Sequence, residues 1–309
     1  MSDAIVTRGL VKRYRGGRAL DGFSLVVPSG STMGLVGRNG AGKTTWMMAV
    51  AGFVLPDSGE IRLLGSGPFD ADIHSGRFSI LPQDSELPLE AKPGELLVRY
   101  GRLQGLAPAA AQSEAHTLLS EFNLVSHANK PVRALSHGMR KRIMVAQAFI
   151  GSPEVVLLDE PLSGLDPEEA SRMRAFIRAR RFRETIVVSS HNLDDIEKLC
   201  THVAFIDAGK LERVDTLAAL TSAAGRIVVK LRRKPDDLAA LEALIPGASV
   251  SWKEDSHELG VDFGSDTAPE DVNARILPAL FPCGVVSVSS GMTLEQAYLA
   301  VSTSGHEQG

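Results

Sequence analysis

Short β-branched runs alternate with helical patterns as far as about residue 220, the texture of a mostly parallel α/β sheet. Ser31–Val36, Phe78–Leu81, Glu154–Asp159 and Thr185–Ser190 read as strands, and a helix is expected from Lys43 to Ala51. The Ser31–Val36, Glu154–Asp159 and Thr185–Ser190 runs lead at their carboxyl ends into a Gly-rich turn, an acid pair and His191, and open α/β sheets collect ligands at that end. Between Glu90 and Lys141 the β pattern disappears. Ala91–Gln104, Pro108–Glu121 and Gly138–Ile150 read as helices set apart by Gly and Pro, forming a helical insertion over about residues 90–150. Past residue 220 the texture changes once more. Arg226–Leu231, Ala248–Trp252, Glu258–Phe263 and Val285–Ser289 read as strands, and Asp236–Leu244, Pro269–Leu280 and Leu294–Ser302 as helices. The pattern predicts an α/β domain over residues 1–220 and a small α+β domain over 221–309.

Composition narrows the class without naming a chemistry. With 309 residues, 44% hydrophobic and 23% charged, the chain is globular and has enough length for two cores. No apolar run approaches the ~20 residues that span a bilayer, and the start lacks a secretory pattern, so the expected compartment is the cytoplasm. A net charge of -4 argues against bulk affinity for nucleic acid. Residues 221–309 carry 7 basic and 12 acidic groups, so the acidity gathers in the tail. Cys200 and Cys283 have neither metal-ligand spacing nor the makings of a disulfide framework.

Gly37-Arg38-Asn39-Gly40-Ala41-Gly42-Lys43-Thr44 fits the P-loop pattern in full, with a strand before it and a helix after it. Its N–H groups and the helix N-terminus can cradle phosphates. Lys43 supplies charge to the β- and γ-phosphates, the Thr44 hydroxyl is placed for Mg²⁺, and Thr45 follows on the same helix. Asp159-Glu160 at the end of an apolar strand supplies the other half of such a site: Asp159 as a Mg²⁺ ligand, Glu160 as the base for an attacking water. An acid pair at a strand end is more often a solvated cap, but a full P-loop upstream reverses those odds. Asn129-Lys130-Pro131-Val132 invites a guanine-specificity reading; Val132 stands where an Asp is needed, and a turn is the better account. The basic run Arg172–Arg181 has roughly helical spacing and reads as a solvated helix face.

Over residues 4–218 these motifs resemble the ATP-binding subunits of ABC transporters. Leu135-Ser136-His137-Gly138-Met139 resembles the family's Leu-Ser-Gly-Gly-Gln signature, with His137 and Met139 as departures, and Met139-Arg140 resembles the exporter branch. The resemblance implies a P-loop NTPase fold with a helical insertion, and further site residues. Gln83 matches the glutamine that senses Mg²⁺ and the γ-phosphate, and Ser163-Gly164-Leu165-Asp166 matches the D-loop. His191 matches the switch histidine, and Tyr14 the aromatic that stacks on adenine. Ser136 and the backbone at Gly138 would reach the γ-phosphate held by another subunit.

With one P-loop and one signature in the chain, the resemblance implies a second ATPase subunit, identical or not, with two ATP between them. The resemblance further implies Lys43, Glu160 and His191 as catalytic residues, an integral membrane permease as partner, no nucleic acid, and a place on the inner face of the membrane. Met292–Leu299 loosely resembles the C-terminal ending of export ATPases serving drug, antibiotic or polysaccharide efflux. The alternative is a soluble ABC ATPase in repair, translation or assembly; sustained heptads or a second ATPase unit would favour it, and neither is present.

Overall fold

The computed structural model describes residues 3–222, 225–264 and 267–291, together with Leu294, Glu295 and Tyr298. The chain divides into a unit of Met1–Asp215 and a unit of Thr216–Gly309.

The first unit holds two sheets. Strands β1 (Asp3–Tyr14), β2 (Gly17–Pro28) and β4 (Ser58–Leu63) form an antiparallel sheet in the order β2-β1-β4. The second sheet has six strands: β3 (Thr32–Val36), β5 (Phe78–Leu81), β6 (Val155–Asp159), β7 (Thr185–Ser190), β8 (His202–Asp207) and β9 (Lys210–Thr216), in the order β5-β6-β7-β3-β8-β9. Its pairings from β5 across to β8 are parallel. The middle strands are buried along their whole length, as near-continuous apolar runs must be when both faces of a parallel sheet are covered. Leu10, Phe23, Trp46, Leu35, Leu157 and Val187 belong to one core shared by both sheets and by helix α1 (Lys43–Val50).

The parallel sheet agrees with the alternation in the sequence, but the antiparallel one was not foreseen. Its long strands carry bulges, with register shifts between Thr7 and Leu10 and between Lys12 and Arg13. The first puts an extra residue in β1 and the second one in β2, and each reverses the in–out alternation of its strand, so a period of two is lost.

A short helix α2 (Ala71–His74) precedes β5. The insertion consists of α3 (Pro93–Leu103), α4 (Pro108–Glu121) and α5 (His137–Phe149). Both α3 and α4 begin on proline, whose fixed φ and missing N–H suit a first helical position. Helices α6 (Pro167–Ala179) and α7 (Leu193–Leu199) complete the unit. Asp166 caps α6 by accepting the Glu169 N–H at 2.8 Å, and Asn192 caps α7.

The arginine run is only partly a solvated face. Arg172 pairs with Glu168 on the surface, whereas Arg174 reaches Asp195 at 2.6 Å. Arg180 reaches Glu121 at 2.7 Å while lying over the Phe176 ring, and Arg181 donates to the carbonyls of Leu199 and Cys200. These cations clasp α6 to its neighbours.

The second unit opens with α8 (Leu217–Ser222). It continues as β10 (Gly225–Leu231), α9 (Leu238–Ala243), β11 (Ser249–Lys253), β12 (Glu258–Phe263), α10 (Pro269–Leu280) and β13 (Val285–Ser290). The strands pair antiparallel in the order β11-β12-β10-β13, the β-α-β-β-α-β arrangement of ferredoxin-like folds. Ile227, Val229, Leu259, Val261, Val272 and Ile276 form its core. Of the helix expected at Leu294–Ser302, Leu294, Glu295 and Tyr298 are helical and the remainder lies outside the described residues, as does most of Met292–Leu299.

Glu184, just ahead of β7, is buried, and its Oε2 has no hydrogen-bond partner. Burial holds its carboxyl above the usual range, against the pull of Arg180 and Arg183. A carboxyl with a raised folded-state pKa favours folding below its unfolded value and loses that contribution as pH rises through the folded value. Glu184→Gln should therefore gain stability relative to wild type as pH rises from about 4 to about 8. Urea denaturation at each pH measures the difference, and a difference independent of pH would refute the burial account.

Candidate functional site

Four neighbouring parallel strands, β5, β6, β7 and β3, end side by side, and each delivers part of one cleft. The loop after β3 runs through Gly37 and Arg38 to Thr44, β6 ends in Asp159-Glu160, β7 leads into His191, and β5 leads to Gln83. Tyr14, Asn39, Gly40, Ala41, Gly42, Lys43, Thr44, Thr45, Gln83, Asp159, Glu160 and His191 all line this cavity of about 550 Å³. Residues far apart in the chain thus converge on one place.

The loop turns sharply into α1 at Gly42, whose φ of 111° lies in the left-handed region. A Cβ there would sit 2.5 Å from the Ala19 carbonyl oxygen, so glycine is needed for both its backbone and its bareness. Lys43, 6% exposed, donates to the Gly37 carbonyl at 2.7 Å and to the Arg38 carbonyl at 3.2 Å. Burial lowers its pKa, while the nearby Glu160 and Asp159 act to raise it.

The acid pair is held from behind. Ser189 donates to Asp159 Oδ1 at 2.5 Å and accepts the Glu160 N–H at 2.8 Å. Asp159 is 1% exposed, and its Oδ2 is buried without a hydrogen-bond partner. Glu160 adopts φ 49°, a left-handed conformation that is uncommon outside glycine, Asn and Asp. His191 Nδ1 lies 3.1 Å from both Glu160 carboxylate oxygens, with the ring itself largely exposed.

Ser136, Gly138 and Asp166 are not among the residues lining the cleft. Ser136 caps α5, accepting the Met139 N–H at 3.1 Å, and His137 is the first residue of that helix. Gly138 lies against α6: a Cβ on it would fall about 1.8 Å from a Glu169 carboxylate oxygen. Glu169 in turn pairs with Arg142 of α5 at 3.6 Å.

The sequence reading missed three contributors, Ala19, Ser189 and Lys141, and gave Ser163 only as part of the Ser163–Asp166 match. Ala19 and Ser163 line the cleft, and Ser189 organises the acids from a fully buried position on β7. Lys141 of α5 is also buried; burial lowers its pKa, and Glu160, Asp159 and Asp84 oppose that in decreasing order. No local motif marks Ala19, Ser189 or Lys141, although Ser189 stands two positions before His191 and Lys141 three after Gly138. Their roles come from register and helix packing.

Comparison with known proteins follows the same lines. Residues 20–163 match the family model described as ABC transporter. The daunorubicin/doxorubicin resistance ATP-binding protein DrrA of Streptomyces peucetius is 34% identical over 88% of this chain and 81% of its own length. The chain belongs to the ABC transporter family. A Nod factor export ATP-binding protein I from Ralstonia nicotianae is 36% identical over 77% of this chain and 74% of its own length. A solved structure described as the ATP binding subunit of an ABC transporter superposes with a TM-score of 0.64 at 26% identity, covering 70% of this chain and 91% of that one. The first unit has the P-loop NTPase fold of that family. Among the described residues, no helix is long and apolar enough to cross a membrane.

Two glycine substitutions separate backbone strain from collision. Gly40, at φ 81°, has nothing within 4 Å of the place a Cβ would take. Gly40→Ala should lower stability by about 1–2 kcal/mol, the ordinary left-handed penalty. Gly42→Ala should cost more, because the Ala19 carbonyl must also move. Urea denaturation of the ligand-free chain compares them, and equal losses would refute the collision.

Proposed function

We propose that the chain binds and hydrolyses ATP as the nucleotide-binding subunit of an export-type ABC transporter, driving a separate membrane permease. The observation that carries this reading is the convergence of the P-loop, Gln83, Asp159, Glu160, His191 and Tyr14 on one cleft. The relatives' names, drug resistance and Nod factor export, support export as the direction.

In this reading the P-loop N–H groups and Lys43 hold the phosphates, and Tyr14 stacks on the adenine. Lys43 now donates to loop carbonyls, so phosphate oxygens exchange one set of acceptors for another without stranding its charge. The donor set also fits Mg²⁺: Asp159 Oδ2 is a buried carboxylate oxygen without a partner, and the Thr44 hydroxyl and Gln83 lie in the same cleft. When bound, Mg²⁺ neutralises charge on the β- and γ-phosphate oxygens. Glu160, oriented by His191, takes the proton from the attacking water as that water bonds to the γ-phosphorus and the bond from phosphorus to the bridging oxygen breaks, with ADP leaving on that oxygen. Lys43 and His191 stabilise the charge that spreads over the transferring phosphoryl group.

Ser136 and Gly138 lie off their own chain's cleft, which supports a site completed by the signature of a second ATPase subunit. Two such chains meeting head to tail enclose two ATP, and closing and opening of the pair moves the permease. The permease holds the chain at the inner face of the membrane. The runner-up, a soluble ABC ATPase in repair, translation or assembly, has no observation in its favour.

Glu160→Gln should keep ATP binding, lower kcat by at least about 100-fold and accumulate a closed dimer with ATP–Mg²⁺. Turnover assays with size-exclusion chromatography read both effects, and unchanged kcat would overturn the assignment of the base. Tagged Glu160→Gln chain, purified from detergent-solubilised host membranes with ATP–Mg²⁺, should bring down a polytopic membrane protein. Recovery of soluble partners alone would favour the runner-up.

A further inference from the structure

One hydroxyl holds both acids of the cleft, and the geometry points to Ser189 as a positioning residue for ATP hydrolysis. It sets the metal-facing oxygen of Asp159 and the backbone of Glu160 in a fixed relation to each other. The inference rests on the ATPase reading above and goes beyond it, because Ser189 is fully buried and does not itself line the cleft.

The hydrogen inventory allows a single arrangement. A serine hydroxyl has one proton and two lone pairs, whereas a backbone N–H can only donate. Ser189 Oγ therefore accepts from Glu160 N at 2.8 Å and spends its proton on Asp159 Oδ1 at 2.5 Å. With Oδ1 engaged, Oδ2 is left as the oxygen to meet a cation, and it is the buried atom without a partner. The β6–β7 register sets Asp159 directly beside Ser189, so sheet pairing presents the hydroxyl and no loop has to find it.

The second bond acts on the base. Glu160 is in a left-handed conformation at φ 49°, which is unfavourable unless the surroundings hold it. Its N–H bond to Ser189 is such a restraint. Without it the Glu160 peptide can relax to ordinary backbone, and the carboxylate leaves its position 3.1 Å from His191 Nδ1. Loss of the hydroxyl would thus free the metal ligand and the base together.

Threonine and valine have nearly the same shape, so comparing Ser189→Thr with Ser189→Val isolates the hydroxyl from any crowding by the added methyl. The full chain is titrated with a fluorescent ATP analogue in Mg²⁺ and in EDTA, and ATP turnover is measured alongside. Ser189→Val should lose about 10–100-fold in the Mg²⁺-dependent part of nucleotide affinity and in kcat, the usual scale for a partner that orients a metal ligand. Affinity in EDTA should stay at the wild-type value, and Ser189→Thr should restore both losses. Val and Thr variants that match each other, whether both active or both impaired in EDTA as well, would overturn the positioning role and leave a packing role. A wild-type chain without Mg²⁺-dependent ATP binding would overturn the ATPase reading, and this inference with it.

Discussion

A parallel sheet delivers every strand end with the same polarity, and the site depends on that constraint. Strands β5, β6, β7 and β3 are neighbours. A glutamine, two carboxylates, a histidine and a phosphate-type loop, scattered over about half the chain, therefore emerge in one row. Charges gathered this way are poorly solvated. Lys43, Lys141, Asp159 and Glu160 are all buried, and each would be costly alone. Together they offset one another, through the opposing influences of the acids on the lysines and through the loop carbonyls that receive Lys43. Local strain at Glu160 and the unpartnered oxygen of Asp159 persist because the sheet around them leaves little room to relax.

What the sequence revealed was whatever a short window can contain. Gly37–Thr44 is contiguous, and so are the apolar strands that end in Asp159-Glu160 and lead to His191, which is why the parallel sheet was readable. The helical insertion was readable for a similar reason, since Pro108 opens a 14-residue helix directly. The antiparallel sheet was hidden because bulges in β1 and β2 interrupt their alternation. Ser189 was hidden because its meaning lies in the strand beside it. Arg174 and Arg180 looked like solvent-facing charges because their partners, Asp195 and Glu121, belong to other helices.

The two units are built on different logic. In the first, strands are consumed by burial on both faces and function collects at their ends. In the second, all pairings are antiparallel and the apolar residues of β10 and β12 alternate toward one core. Its βαββαβ order closes on itself with short connections.

Gly138 and Glu169 have a further consequence. The carboxylate of Glu169 occupies the place that a β-carbon at 138 would need, and it is steadied there by Arg142. That carboxylate is the free end of a flexible side chain, so a larger residue at 138 is admitted by swinging Glu169 aside, at the expense of its pairing with Arg142. A single substitution at 138 would thus be felt on α6, about thirty residues away along the chain.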